Sequence, residues 1–337
     1  MKALFIGGTG TISSAITTSL LEQGCELYLL NRGNRNDQLP EGARLLQGDI
    51  HDEDHVRGLI QELEFDVVAD FIAFHHSDVE RDYRLFQGKT KQFIFISSAS
   101  AYQTPLSHYH ITEGTPLSNP HWEYSRNKIA CEEYLIKQYR EHGFPVTIVR
   151  PSHTYDERAL PLGVHGSKGS WQVAKRMLED KPVIIHGDGT SLWTMTHNRD
   201  FAKGFIGLMG NIHAIGEAVH ITSDETVTWN QIYEMIADAL GVKLHAVHIS
   251  SHFLAACDLE FQGSLLGDKA NSVVFDNSKL KRLVPGFAAT TRLDQGIRET
   301  VAHILQHEEL QPSDEAFDAW CDQVISAIQA AARSLQS

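Results

Sequence analysis

The chain has 337 residues, 42% hydrophobic and 21% charged, enough for one large domain or two closely joined ones with an ample core. A formal net charge of −14 and the lack of any Lys/Arg-rich run argue against a nucleic-acid backbone binder. No apolar run approaches the ~20 residues needed to cross a bilayer, and Met1–Lys2 leads straight into a strand, so neither a signal peptide nor a membrane partner is expected. Cys25, Cys131, Cys257 and Cys321 lie far apart without paired spacing. They read as free thiols of a reducing, cytoplasmic compartment.

Ala3–Leu4–Phe5–Ile6 reads as a strand buried on both faces. It runs into Gly7–Gly8–Thr9–Gly10–Thr11–Ile12–Ser13, after which Ile12, Ile16 and Leu20 recur at helical spacing until Gly24. So tight a strand-to-helix turn gathers free backbone N–H groups and the positive end of the helix dipole at one spot, which suits a pyrophosphate. Gly7 takes the turn's backbone angles, Gly10 leaves room for phosphates, and Ser13 fills the third small position. Gly7, Thr9, Gly10, Thr11 and Ile12 are the expected dinucleotide contacts.

The second strand, Glu26 to Leu30, ends at Asn31–Arg32–Gly33, where dinucleotide folds read the adenosine ribose. An acidic residue there would accept the 2′-OH and repel a 2′-phosphate. Asn31, Arg32 and Arg35 stand there instead, which favours NADP(H) over NAD(H). Arg44 to Gln47 forms a third strand, and the Asp49 and Ile50 that follow it face the adenine. Asp52 caps a helix to Leu63. Asp66 to Ala69 is the fourth strand, ending in Asp70–Phe71–Ile72–Ala73. A helix from Ser77 to Phe86 precedes the fifth strand, Gln92 to Ile96. Apolar strands alternating with helices specify an α/β fold: a Rossmann-type, doubly wound parallel sheet covered on both faces.

The fifth strand opens into Ser97–Ser98–Ala99–Ser100–Ala101–Tyr102, and a later helix carries Tyr124–Ser125–Arg126–Asn127–Lys128. Tyr124 and Lys128 are four apart and share a helix face. A neighbouring ammonium favours phenolate and lowers a tyrosine pKa from ~10 towards working pH. With a hydroxyl on the strand-end loop to orient an alcohol, the set supplies an acid/base group, its activator and a positioning donor.

These motifs resemble the short-chain dehydrogenase/reductase superfamily, in its extended and atypical branch of sugar-nucleotide epimerases and dehydratases. The matches are Gly7–Gly8–Thr9–Gly10, Ser97–Ser98 with Tyr102, Tyr124 with Lys128, and Val149–Arg150–Pro151–Ser152. Weaker ones run in family order to about residue 307, at Gly187 to Thr190, His197 to Ala202 and Phe275 to Leu280. The resemblance implies that Tyr124 is the catalytic acid/base, that Lys128 lowers its pKa and holds the nicotinamide ribose, and that Ser98 bonds the reacting oxygen. It places Ser97, Pro151 and Ser152 near the nicotinamide, and Asp70, Phe71, Ile72 and Ala73 along the cofactor's backbone path. Ser100, Tyr102 and His153 are expected on the substrate side. Helix faces around Tyr124 to Gln138 form dimers in this superfamily, so a homodimer is expected by analogy.

Two departures narrow the reading. Dehydratases of the branch carry acidic residues where this chain has Ala99, Ser100 and Ala101. Nucleotide-sugar enzymes carry an arginine for the diphosphate at the position of Trp193, and a tryptophan stacks on a base or sugar but does not pair with a diphosphate. The expected function is an NAD(P)-dependent epimerase or oxidoreductase acting on a sugar or sugar-nucleotide hydroxyl. The alternatives are a simple carbonyl reductase or alcohol dehydrogenase, and a non-catalytic cofactor-binding regulatory or RNA-binding module, as in the chloroplast stem-loop RNA-binding proteins of the atypical branch.

The expected organisation is a Rossmann domain over 1–155, rejoined by about 190–222, with a smaller mixed α/β substrate domain over 156–189 and 223–310. A C-terminal helix follows over 311–337, its stripe formed by Phe317, Trp320, Val324, Ile328 and Ala331. Gly163 to Leu178 reads as a helix on the substrate side, where Lys168, Lys175 and Arg176 are candidates to bind an anionic group. Val183 to Ile185, Ala218 to Ile221 and Leu244 to Val247 read as strands, and Thr228 caps a helix to Leu240. Nineteen histidines include no H-E-x-x-H motif of the zinc-hydrolase kind, so no metal site is expected.

Overall fold

The computed structural model describes residues 1–33 and 39–336. They fall into two compact units, Met1–Thr154 with Thr196–Asp224 and Phe275–Thr290, and Tyr155–Met195 with Glu225–Val274 and Thr291–Ser337.

The first unit is built on a seven-stranded sheet. Its strands include β1 (Lys2–Ile6), β2 (Glu26–Asn31), β3 (Arg44–Gln47), β4 (Val67–Asp70) and β5 (Phe93–Ile96). The strands Val146–Pro151 and Ala218–Ile221 complete it. The order is β3-β2-β1-β4-β5, then Val146–Pro151, then Ala218–Ile221 at the edge, and every pairing is parallel. Alternate residues of each strand feed two separate cores, because successive side chains point to opposite faces. Ala3, Phe5, Leu27, Leu29, Val67 and Ala69 pack on one side with Phe201 and Phe205. Leu4, Ile6, Tyr28, Leu30 and Val68 pack on the other with Val79 and Leu135. That double burial is why the strands are near-continuous apolar runs.

The helices of this unit include α1 (Thr11–Glu22), α2 (Glu53–Leu59), α3 (His76–Phe86) and α4 (Glu123–His142), with Asn198–Leu208 packed on α1. Asp52 caps α2 by accepting from the His55 N–H, but α2 stops at Leu59, short of the expected Leu63. Strand bounds of this unit agree with the sequence reading to within one residue, whereas the strand expected at Leu244 to Val247 runs two residues later, Ala246–Ile249. The segment Phe275–Thr290 also belongs to this unit. Its Leu280 and Phe287 fill the core beside Phe201 and Phe205, a return that no local periodicity announced.

The second unit pairs Val183–His186 in parallel with Ala246–Ile249, and Leu192–Trp193 antiparallel with Val227–Thr228. Thr228 caps the helix Trp229–Leu240 in a reciprocal box with Gln231. The helix expected from Gly163 begins only at Trp171. Three glycines explain the delay: Gly169 has φ +98°, a Cβ on Gly166 would lie 2.3 Å from Asp314 Oδ2, and one on Gly163 would lie 2.6 Å from His186 Cε1. The C-terminal helix, Glu315–Ser334, is part of this unit and turns Phe317, Cys321, Val324 and Ile325 inward. Trp320 and Ile328 are half-buried and Ala331 is exposed, so the buried stripe lies about a residue away from the expected one. Among the described residues no helix is long and apolar enough to cross a membrane, and no cluster of metal-ligating side chains forms.

Candidate active site

The turn from β1 to α1 is held by its own small side chains. Gly7 has φ +82°, and a Cβ there would lie 2.5 Å from Ile72 Cγ2. Ser13 Oγ accepts from the Gly10 N–H at 2.9 Å and donates to Gly7 O at 3.0 Å, so the third small position ties the turn together. Thr17 Oγ1 donates to Gly8 O at 2.9 Å. Gly10 is different, because a Cβ there would meet nothing nearer than Ser13 Oγ at 3.7 Å. Its free side faces open space at the helix N-terminus.

A cavity of about 700 Å³ opens there, lined by Gly7, Thr9, Gly10, Thr11 and Ile12. Asn31 and Arg32 from the end of β2, Asp49 and Ile50 after β3, and Phe71 and Ile72 after β4 complete the walls with Ile96. The glycine turn, the open side of Gly10 and a pocket of this size fit a dinucleotide, whose phosphates need backbone donors and close approach. His51 also lines the cavity and was missed by sequence reasoning. Its N–H and ring Nδ1 reach Asp49 Oδ1 at 3.0 and 2.9 Å, and the backbone bond leads in holding the Asp49 carboxyl below its usual range. The strand-end motif Gly48–Asp49–Ile50 was the available signal. Arg35 lies outside the described residues.

Lys128 is 2% exposed. Its Nζ donates to Ala73 O and Ile96 O, both at 2.7 Å, the carbonyls following β4 and ending β5. It sits 4.6 Å from the Phe74 ring centroid, 4.9 Å from Phe95 and 5.7 Å from Tyr124. Burial pulls the ammonium down to about 8, while the two carbonyls and the ring faces favour its charged form. Tyr124 is half-buried, with its ring 4.9 Å from Trp122 and 6.1 Å from Phe74. Ile96 joins the two halves, since its side lines the cavity and its carbonyl holds Lys128.

Ser98 caps the short turn Ala99–Ala101 by accepting from the Ser100 N–H at 3.1 Å. The Ser98 and Ser100 hydroxyls are 2.8 Å apart, and Ser125 Oγ donates to Ser100 Oγ at 2.8 Å. A chain of hydroxyls thus links Ser98 to the residue after Tyr124. Ser125, which completes it, was quoted in the motif without a role.

Several expected contacts are turned elsewhere. Ser100 is 6% exposed, and its hydroxyl serves that chain rather than substrate. Tyr102 is 2% exposed, with its hydroxyl 3.0 Å from His220 Nδ1 and its ring 4.8 Å from the Arg150 guanidinium. Burial raises its phenol further, so it is core. Ser97 is buried and donates to Glu132, which also takes Arg150 at 2.9 and 2.5 Å. Asp70 is fully buried and turned away from the cavity. Pro151 is buried, Ser152 and His153 are half-buried, and none of the three lines the cavity.

In the second unit, Trp193 is 3% exposed with its ring 5.5 Å from Trp229, a packing partner rather than an open stacking surface. Lys168 Nζ donates to Ser313 O at 2.9 Å and Lys175 Nζ to Ser313 Oγ at 3.2 Å. Arg176 takes Asp318 and Asp322, each at 2.7 Å. Of the basic trio expected to bind an anion, Arg176 is buried on the C-terminal helix, while Lys168 and Lys175 bond Ser313, just before that helix.

Similar proteins share this frame. The chain is 26% identical over 290 residues to 2′-dehydrokanamycin reductase of Streptomyces kanamyceticus, covering 85% of this chain and 80% of that one. It is 26% identical over 255 residues to the chloroplast stem-loop binding protein of 41 kDa b of Arabidopsis thaliana, covering 71% and 63%. The solved UDP-glucuronic acid 4-epimerase of Bacillus cereus, in complex with UDP-glucuronic acid and NAD, superposes with TM-score 0.72 at 22% identity, over 91% of this chain and 99% of that one. Residues 3–222 match the model of the NAD dependent epimerase/dehydratase family, and the chain belongs to that family.

Proposed function

We propose that this protein is an NAD(P)-dependent oxidoreductase of the epimerase type, working at a hydroxyl or ketone of a sugar or sugar nucleotide. The observation that carries the reading is Lys128, a buried ammonium fixed by the carbonyls of Ala73 and Ile96 close to the Tyr124 ring. The nicotinamide, when bound, supplies a hydride acceptor and donor. Tyr124 takes or returns the proton of the reacting oxygen, Lys128 stabilises its phenolate, and Ser98 hydrogen-bonds that oxygen. The glycine turn holds the phosphates. Asn31 and Arg32 stand where an acid would exclude a 2′-phosphate, which supports a preference for NADP(H).

A second reading, a reductase with net consumption of NADPH, is favoured by two observations. Trp193 is buried where a diphosphate-gripping arginine would stand, and one relative is named a reductase of a dehydro-aminoglycoside.

The test supplies the purified protein with dinucleotide and a panel of nucleotide sugars and keto-glycosides. Epimers formed without net change in dinucleotide assign epimerisation, and stoichiometric oxidation of NADPH assigns the reductase. In either case Tyr124→Phe is expected to lose about 10²–10⁴-fold in kcat while still binding the dinucleotide. Full turnover by that variant would falsify the proposal.

A further inference from the structure

We infer that Arg81 is a positioning residue for Lys128: one guanidinium on α3 fixes the loop after β4 whose Ala73 carbonyl holds the Lys128 ammonium. The inference rests on the proton-transfer role proposed above for Tyr124 and Lys128. The loop has no regular secondary structure, yet four successive backbone N–H groups are taken by carboxylates. Asp70 Oδ1 accepts from Ile72 at 2.6 Å and from Ala73 at 2.9 Å. Asp78 Oδ2 accepts from Phe74 and His75, both at 2.9 Å.

Arg81, 4% exposed, reaches both acids, with Nη2 3.5 Å from Asp70 Oδ2 and Nη1 3.4 Å from Asp78 Oδ1. Its Nε and Nη2 donate to Asp82 Oδ1 at 3.0 and 2.8 Å. Asp82 is fully buried, and burial together with the Asp70 charge pushes its carboxyl well above the usual range. Three acids therefore surround one cation, and none of the four side chains lines the dinucleotide cavity.

Such a cluster is weak evidence for stability, because desolvation offsets much of the attraction. What it supplies is a fixed place for a loop. Ile72 lines the cavity, Ala73 O holds Lys128 Nζ, and the Phe74 ring lies between Lys128 and Tyr124 contacts. A planar fork spans two acids at once, and an ammonium at the same position does not.

Arg81→Lys keeps the charge and removes the fork. Asp70, Asp78, Glu132 and Cys131 are the charged or titratable groups that act on Lys128, and all stay in place. The variant is expected to lose about tenfold in kcat, a modest case of misplaced catalytic geometry, with dinucleotide Kd and substrate KM within about twofold. The alkaline limb of kcat moves to lower pH, because an ammonium that loses an acceptor is less favoured. A lower melting temperature with unchanged kcat and limb would overturn the inference.

Lys128→Met is measured in parallel. Its full activity would reject the underlying proton-transfer reading as well, whereas its impairment beside a normal Arg81→Lys rejects the Arg81 role alone. If Arg81→Lys does not fold, Asp78→Ala removes the acceptor of the Phe74 and His75 N–H groups and frees that end of the same loop. The same kcat loss at unchanged KM is then expected, and normal kcat overturns the inference.

Discussion

At the scale of single residues, Lys128 carries two opposed demands. In the proposed mechanism its ammonium stays charged to favour the Tyr124 phenolate, yet burial pulls it down to about 8. The unfolded chain holds that proton up to ~10.4. Between pH 8 and ~10.4 the unfolded state therefore binds more protons than the folded one, and stability rises with pH through that window. Below it the full cost of the buried charge is present. Lys128→Met removes this dependence, so its stability relative to wild type should fall by about 3 kcal/mol on going from pH 7 to ~10.5. Parallel urea titrations read the difference, and a gap that stays constant with pH refutes the buried-charge account. That Lys128 and Tyr124 lie side by side was legible because an i, i+4 spacing is local. Ser100 and Tyr102 were misread for the opposite reason: what occupies them, Ser125 and His220, comes from distant parts of the chain.

At the scale of elements, the turn into α1 separates what folds the chain from what binds the ligand. Gly7 combines a left-handed backbone with contact against Ile72, so Gly7→Ala should cost at least about 1–3 kcal/mol of stability. Gly10 has neither constraint. Gly10→Ala should change stability by about 1 kcal/mol or less, as expected at a helix cap, while weakening dinucleotide binding by at least tenfold, about 1.4 kcal/mol. Thermal melts and fluorescence titrations together check the pair, and equal loss of stability in both variants contradicts the distinction. The strands and this turn could be read from sequence because apolar runs and glycines are local signals. The loop after β4 could not, since Asp70, Asp78, Arg81 and Asp82 look like scattered surface charges until α3 folds back over the strand end.

At the scale of the whole molecule, the basic residues of the second unit serve architecture. Arg176, fully buried, joins Asp318 and Asp322 of the C-terminal helix. Arg176→Met leaves Asp318 to Lys181 alone and Asp322, which is exposed, without this partner, and should cost about 1–3 kcal/mol in lost charge-assisted hydrogen bonds, with dinucleotide Kd unchanged. A neutral effect on the melting temperature would contradict the clamp. The amphipathic stripe showed that a helix would form there, but not that Lys168, Lys175 and Arg176 bond it and its lead-in, because 138 or more residues separate the partners.

The central claim is that a charged lysine beside Tyr124 turns its phenol into a proton carrier. The most direct measurement is a spectrophotometric pH titration of the dinucleotide-bound protein minus Tyr124→Phe, which isolates the phenolate absorbance of that one ring. A fixed ammonium next to it predicts ionisation at lower pH than a free phenol, and Lys128→Met should move the band back up. A Tyr124 that ionises where a free phenol does, or above it, and ignores the loss of Lys128, would contradict the claim.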